Sequence, residues 1–221
     1  CSRRKSTTVQ ILVNSGADCS IAQEDGCQPC HIAAKGLDDQ VLSVLLSSSY
    51  PSRPDPNALA KGRTPMYLAA VEGKSVANIN SISLQKCLSA LTAWGGKLMI
   101  ESPKSNELLH PVHCVSTQWR SEELSVLLSH CKMNDSSDAS MSLSARFQYP
   151  LHAALISLRS QIHSAFQENS DSIFHSEYMP SEPPLVRTLR TLLEHGFEPN
   201  ERLEGIVNQG DTAKSLSCFF G

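Results

Sequence analysis

The sequence predicts an all-α chain, a solenoid of helix-turn-helix units with short hairpin-like loops and irregular insertions. Three observations carry that prediction. Proline, one residue, then histidine or tyrosine recurs four times at the start of an apolar stretch, as Pro29-Cys30-His31, Pro65-Met66-Tyr67, Pro111-Val112-His113 and Pro150-Leu151-His152. Glycines stand where helices of one unit would end, at Gly73 and at Gly95-Gly96. Apolar residues between these marks follow helical rather than strand spacing.

Each recurrence has a physical reading. Proline has φ fixed near a helical value and no N–H to satisfy, so Pro29, Pro65, Pro111 and Pro150 suit a helix's first turn. The side chain two residues on (His31, Tyr67, His113, His152) reaches toward the neighbouring turn. The small residues that follow, among them Ala33, Ala69 and Ala153, admit a second helix at close range. In the first unit Val41, Leu42, Val44, Leu45 and Leu46 form one face of that second helix. In the second unit the longer helix ends at Leu88–Trp94 and Gly95-Gly96 stop it, as glycine does in the left-handed cap position.

In these features the units resemble ankyrin repeats. Asp25-Gly26-Cys27-Gln28-Pro29-Cys30-His31 and Lys61-Gly62-Arg63-Thr64-Pro65-Met66-Tyr67 resemble the family's opening turn. Leu12-Val13-Asn14-Ser15-Gly16-Ala17-Asp18 and Leu192-Leu193-Glu194-His195-Gly196 resemble its closing stretch. The resemblance implies one domain over 1–221. It divides into a partial unit at 1–21, units at 25–57, 61–99 and 106–140, a unit at 146–201 with an insertion at 167–184, and a partial unit at 209–221. Partial units at both ends, with Cys1 in place of methionine, are read as the marks of a fragment.

The spacing is wider than the family's period of ~33 residues. Successive prolines lie 36, 46 and 39 residues apart. The surplus is assigned to insertions around Ser47–Asn57, within Val76–Ser83 and around Met133–Ser144, and to the Ser-, Glu- and Pro-rich stretch Gln167–Pro184.

Composition limits the function classes. A net charge of −3 offers no reason to expect nucleic acid. There is no apolar run of about 18 residues, so no spanning helix or membrane partner is expected. No phosphate-cradling glycine loop and no nucleophile elbow occurs, and no catalytic residues are assigned. The eight cysteines are read as reduced thiols of a cytosolic or nuclear protein. Cys27-Gln28-Pro29-Cys30-His31 does satisfy a C-x-x-C-H pattern, which raises a metal- or haem-binding alternative using Cys27, Cys30 and His31. The repeat already explains Pro29 and His31, and Cys30 stands where the family has a buried leucine, so no cofactor or metal is assigned. Arg3-Arg4-Lys5-Ser6-Thr7 resembles a substrate run for basophilic kinases.

Non-enzymatic recognition of other proteins, as a scaffold or adaptor, is what the resemblance implies, with partners bound along the turn tips and short first helices. On this chain those tips carry Gln23, Glu24 and Asp25, then Lys61 and Arg63, then Asn106 and Glu107, then Arg146, Phe147 and Gln148, with Phe147 the candidate aromatic anchor. Trp94 and Trp119 are read as packing residues near helix ends. The irregular spacing and the tail Leu193–Asn200 also resemble substrate receptors that join ankyrin repeats to a SOCS box. That implies components of a cullin-type ubiquitin ligase as partners. A targeting region of a larger enzyme is a further alternative.

Overall fold

Helix starts are set by the prolines. In the computed structural model, which describes residues 2–47, 53–73, 80–100, 109–134, 147, 149–158 and 182–198, proline occupies the first turn of three short helices. These are α2 (Pro29–Lys35), α4 (Pro65–Glu72) and α6 (Pro111–Thr117). Each is followed by a helix that folds back on it: α3 (Asp39–Leu46), α5 (Asn80–Ala93) and α7 (Ser121–Asn134). A helix α1 (Ser2–Asn14) precedes them. Residues 150–158 form α8, and α9 spans Pro184–Glu194.

Two layers result. The short helices stack α2 on α4 and α4 on α6, and the second helices stack α1, α3, α5, α7 and α9 in that order. The core lies between and along the layers. In α5 it is Leu84, Cys87, Leu88 and Leu91, and in α7 Leu124, Leu127, Leu128 and Cys131, both at i, i+3, i+4, i+7. The alanine pairs Ala33-Ala34 and Ala69-Ala70 are buried. Among the described residues the only extended pairing is an isolated bridge between Ala60 and Arg63, closed by two backbone hydrogen bonds of 3.0 Å. Lys61 (φ 52°) and Gly62 (φ 80°) supply the two left-handed residues of that tight turn.

The fourth copy of the frame departs from the other three. Pro150 opens α8 as Pro65 opens α4, the Ala153 N–H donating to Tyr149 O at 3.0 Å as the Leu68 N–H donates to Thr64 O at 3.1 Å. His152 thus stands two residues after the helix-starting proline, but it is half-buried, edge-on to the Tyr149 ring at 6.0 Å, where His31 and Tyr67 are buried. The buried alanine pair, Ala153-Ala154, follows the proline by three residues rather than four, and Leu155 beyond it is exposed.

Candidate interaction surface

Local chemistry builds the tips before it builds a surface. Asp25 accepts the Cys27 N–H on Oδ1 at 3.0 Å, which holds its carboxyl below the usual range and fixes the turn. Gly26 sits at φ 82°, with Leu59 O only 2.7 Å from where a Cβ would stand. In the next unit Thr64 caps α4 by accepting the Tyr67 N–H at 3.0 Å, and its hydroxyl donates to Leu98 O. His110 does the same for α6 through Nδ1, accepting the Val112 N–H at 3.2 Å.

Units are then joined through the third residue of the frame. The Gln28 N–H donates to His31 Nδ1 at 3.1 Å, so the ring proton is on Nε2, which donates to Ala58 O at 3.0 Å. Tyr67 Oη donates to Leu109 O at 3.2 Å. Burial pushes the His31 ring below its ordinary pKa and keeps it neutral. The sign follows by linkage: the unfolded chain takes up a proton below pH ~6.5 that the folded ring resists, so stability is full above that pH and falls below it. Urea midpoints measured downward from neutral pH should fall more steeply for the wild type than for His31→Leu; parallel curves would show that His31 does not carry the effect.

The C-x-x-C-H pattern is absorbed by this packing. His31 uses both ring nitrogens within the fold. Cys30 is fully buried beside it, Sγ to Nδ1 3.8 Å, and burial pushes its thiol up to about 12. Burial also raises the Cys27 thiol. No group of three or more His, Cys, Asp or Glu side chains converges as a metal set among the described residues. Cys19, Cys27, Cys30, Cys87, Cys114 and Cys131 are free thiols.

Of the predicted tip residues, Gln23, Glu24, Asp25 and Lys61 are exposed and Arg63 is half-buried. Lys61 Nζ lies 3.6 Å from Asp25 Oδ2, which ties one tip to the next. The Glu72 carboxylate receives Lys35 at 2.7 Å and also pairs with Arg63, whose guanidinium lies 5.9 Å from the Tyr67 ring centroid. Lys35, with Arg63, holds the Glu72 carboxyl below the usual range. Ion pairs this exposed add little to stability. Asn106, Glu107, Arg146 and Gln148 lie outside the described residues, as do residues 167–181 and 199–221.

Phe147 is a correction. Its side chain is 4% exposed, with ring centroids 4.8 Å from His110 and 6.0 Å from Phe197, so it fills the interior and presents no anchor to a partner. An aromatic before a helix start serves burial as readily as recognition, and the position of Phe197 decided between them. Trp94 is corrected in the opposite sense, at 42% exposed. Trp119 does pack, half-buried, its indole N–H donating to Ala154 O at 3.1 Å.

Two residues that bind the units together were missed. Asn57 donates to Gly95 O at 2.9 Å and accepts the Lys97 N–H at 2.8 Å. The match of Asp55-Pro56-Asn57 to Asp18-Cys19-Ser20 was the available signal. Arg120 donates to Val71 O at 3.1 Å at the end of α4 and pairs with Glu123 at 3.5 Å, leaving Glu123 buried and Glu122 exposed.

No helix among the described residues is long and apolar enough to cross a membrane. No family model and no curated protein matches the chain. Among solved structures the chain is similar to a crystal structure of the human ASB11 ankyrin repeat domain, at 18% sequence identity and a TM-score of 0.51, over 100% of this chain and 95% of that one. The stacked helical pairs, the proline starts, the bonds from the third residue of the frame into the next unit and this likeness agree: the chain has the ankyrin-repeat fold.

Proposed function

We propose that the chain is a non-enzymatic protein-interaction module, a scaffold or adaptor whose partners are other proteins bound along its turn tips and short helices. The observation that carries the reading is the exposed row Gln23, Glu24, Asp25 and Lys61, drawn from successive units and joined by the Lys61–Asp25 pair. Polar and charged side chains held on capped turns are rigid before binding, which lowers the cost of association. Asn106, Glu107, Arg146 and Gln148 continue the mixed-charge pattern in sequence. Free thiols accord with an intracellular setting.

The finer reading is substrate recognition for a cullin-type ubiquitin ligase. It rests on the resemblance of the tail and the irregular spacing to receptors that join such repeats to a SOCS box.

Quantitative affinity capture tests both. A Glu24→Lys/Lys61→Glu pair, matched to the wild type in melting midpoint, should lose a subset of captured proteins by about tenfold. Unchanged capture would remove the tips from the interaction. The full-length protein should capture a cullin with or without the tip changes, and failure to do so would dismiss the ligase reading alone.

A further inference from the structure

A second exposed cluster stands at the far end of α5, away from the tip row in sequence. Trp94 closes that helix, its N–H donating to Leu91 O at 3.1 Å, and Gly95 and Gly96 then complete a capped turn onto Thr92 O and Leu91 O at 2.9 Å each. The Trp94 ring is 42% exposed, and the Arg53 guanidinium lies over it, 5.1 Å from the centroid. Trp and Arg are the residue types that most often carry binding energy at interfaces. Asn57 bonds both Gly95 and Lys97, so the segment bearing Arg53 is fastened to the turn bearing Trp94 before any partner arrives.

Charge says what fits there. Residues 80–100 contain Lys86 and Lys97 and no Asp or Glu, although the whole chain has a net charge of −3. Lys86 and Lys97 are both exposed, and Gln85, Ser89 and Ala93 continue the outward face of α5 between them. The acid nearest Arg53 in sequence, Asp55, has one oxygen committed to the Asn57 N–H at 2.9 Å. We propose that Arg53, Lys86, Trp94 and Lys97 form a second docking surface whose occupant is an acidic segment of a partner protein. Its carboxylates pair with the three cations and an apolar side chain lies on the Trp94 ring. The cations are desolvated least at the rim and steer the encounter, while the ring and its stacked guanidinium hold the complex.

The test uses a fluorescein-labelled peptide of glutamates with one central leucine, followed by fluorescence anisotropy at low salt against the whole chain. Wild type should bind it, and Trp94→Ala and Lys97→Glu should each weaken binding by about tenfold. Trp94→Phe should retain most of the affinity, and the Glu24→Lys/Lys61→Glu tip variant should retain all of it. Either of two results overturns the proposal: no binding by the wild type, or a Trp94→Ala protein that binds as tightly as the wild type. Both substituted side chains are exposed, so far-UV circular dichroism and melting midpoints should match the wild type.

Discussion

Leu88→Ala should lower the stability of the domain by about 3 kcal/mol. Leu88 is 1% exposed, on the face that α5 shares with Leu84, Cys87 and Leu91. Because α5 packs between α3 and α7, the truncation opens a cavity in the middle of the second-helix layer, where neither neighbour can close it without leaving its own partner. Solenoid stability is a chain of nearest-neighbour terms, so damage at a central unit weakens its coupling to units on both sides. Urea unfolding should show a lower midpoint, with Ser89→Ala on the exposed side within about 0.5 kcal/mol of wild type. A loss below about 1 kcal/mol for Leu88→Ala would mean that α5 is not enclosed from both sides.

Gly73→Ala should be nearly as damaging, at roughly 2–4 kcal/mol, for a different reason. Gly73 is buried at φ −55°, a conformation alanine adopts freely, so the cost is not conformational. A Cβ there would stand 2.1 Å from Ala69 O and 2.8 Å from Leu37 Cδ2, and the first of these is backbone that cannot rotate away. Relief requires moving the end of α4, whose carbonyls Arg120 also engages. Gly95→Ala provides the contrast. No atom lies within 4 Å of its would-be Cβ, but its φ is 77°, so the substitution should cost about 1 kcal/mol through backbone strain alone. Equal melting midpoints for the two variants would contradict the close approach between the α4 end and Leu37.

How far the site was legible varied with how local its cause is. The roles of Pro29, Pro65, Pro111 and Pro150 at helix starts, and of Gly95 in the left-handed position at a helix end, follow from chemistry within a few residues, whereas the need for glycine at position 73 comes from its close approach to Ala69 O and to Leu37 of the preceding unit. The reading of Cys30 as a buried small side chain likewise followed from its place in the frame. His152 stands two residues after Pro150 as His31 stands after Pro29, yet it is half-buried where His31 is buried, a difference that the tripeptide itself does not encode. Phe147 and Trp94 were exchanged in role, since an aromatic near a helix end carries no sign of which side its neighbours cover. Asn57 and Arg120 bond to partners 38 and 49 residues away in the chain; the likeness of Asp55-Pro56-Asn57 to Asp18-Cys19-Ser20 marks the first as a unit's end but does not name its partner.

The sequence alone determined an all-helical repeat, because proline, glycine and apolar spacing act through backbone geometry that each residue imposes on its near neighbours. It also determined that the histidine of the first C-x-x-C-H run belongs to the repeat rather than to a separate motif. Tertiary structure decided the burial of Phe147, the exposure of Trp94 beside Arg53, and the pairing of Asp25 with Lys61 across successive tips. Those outcomes depend on which surfaces of distant segments meet, and packing between units sets that distance by distance, through contacts that no single unit contains.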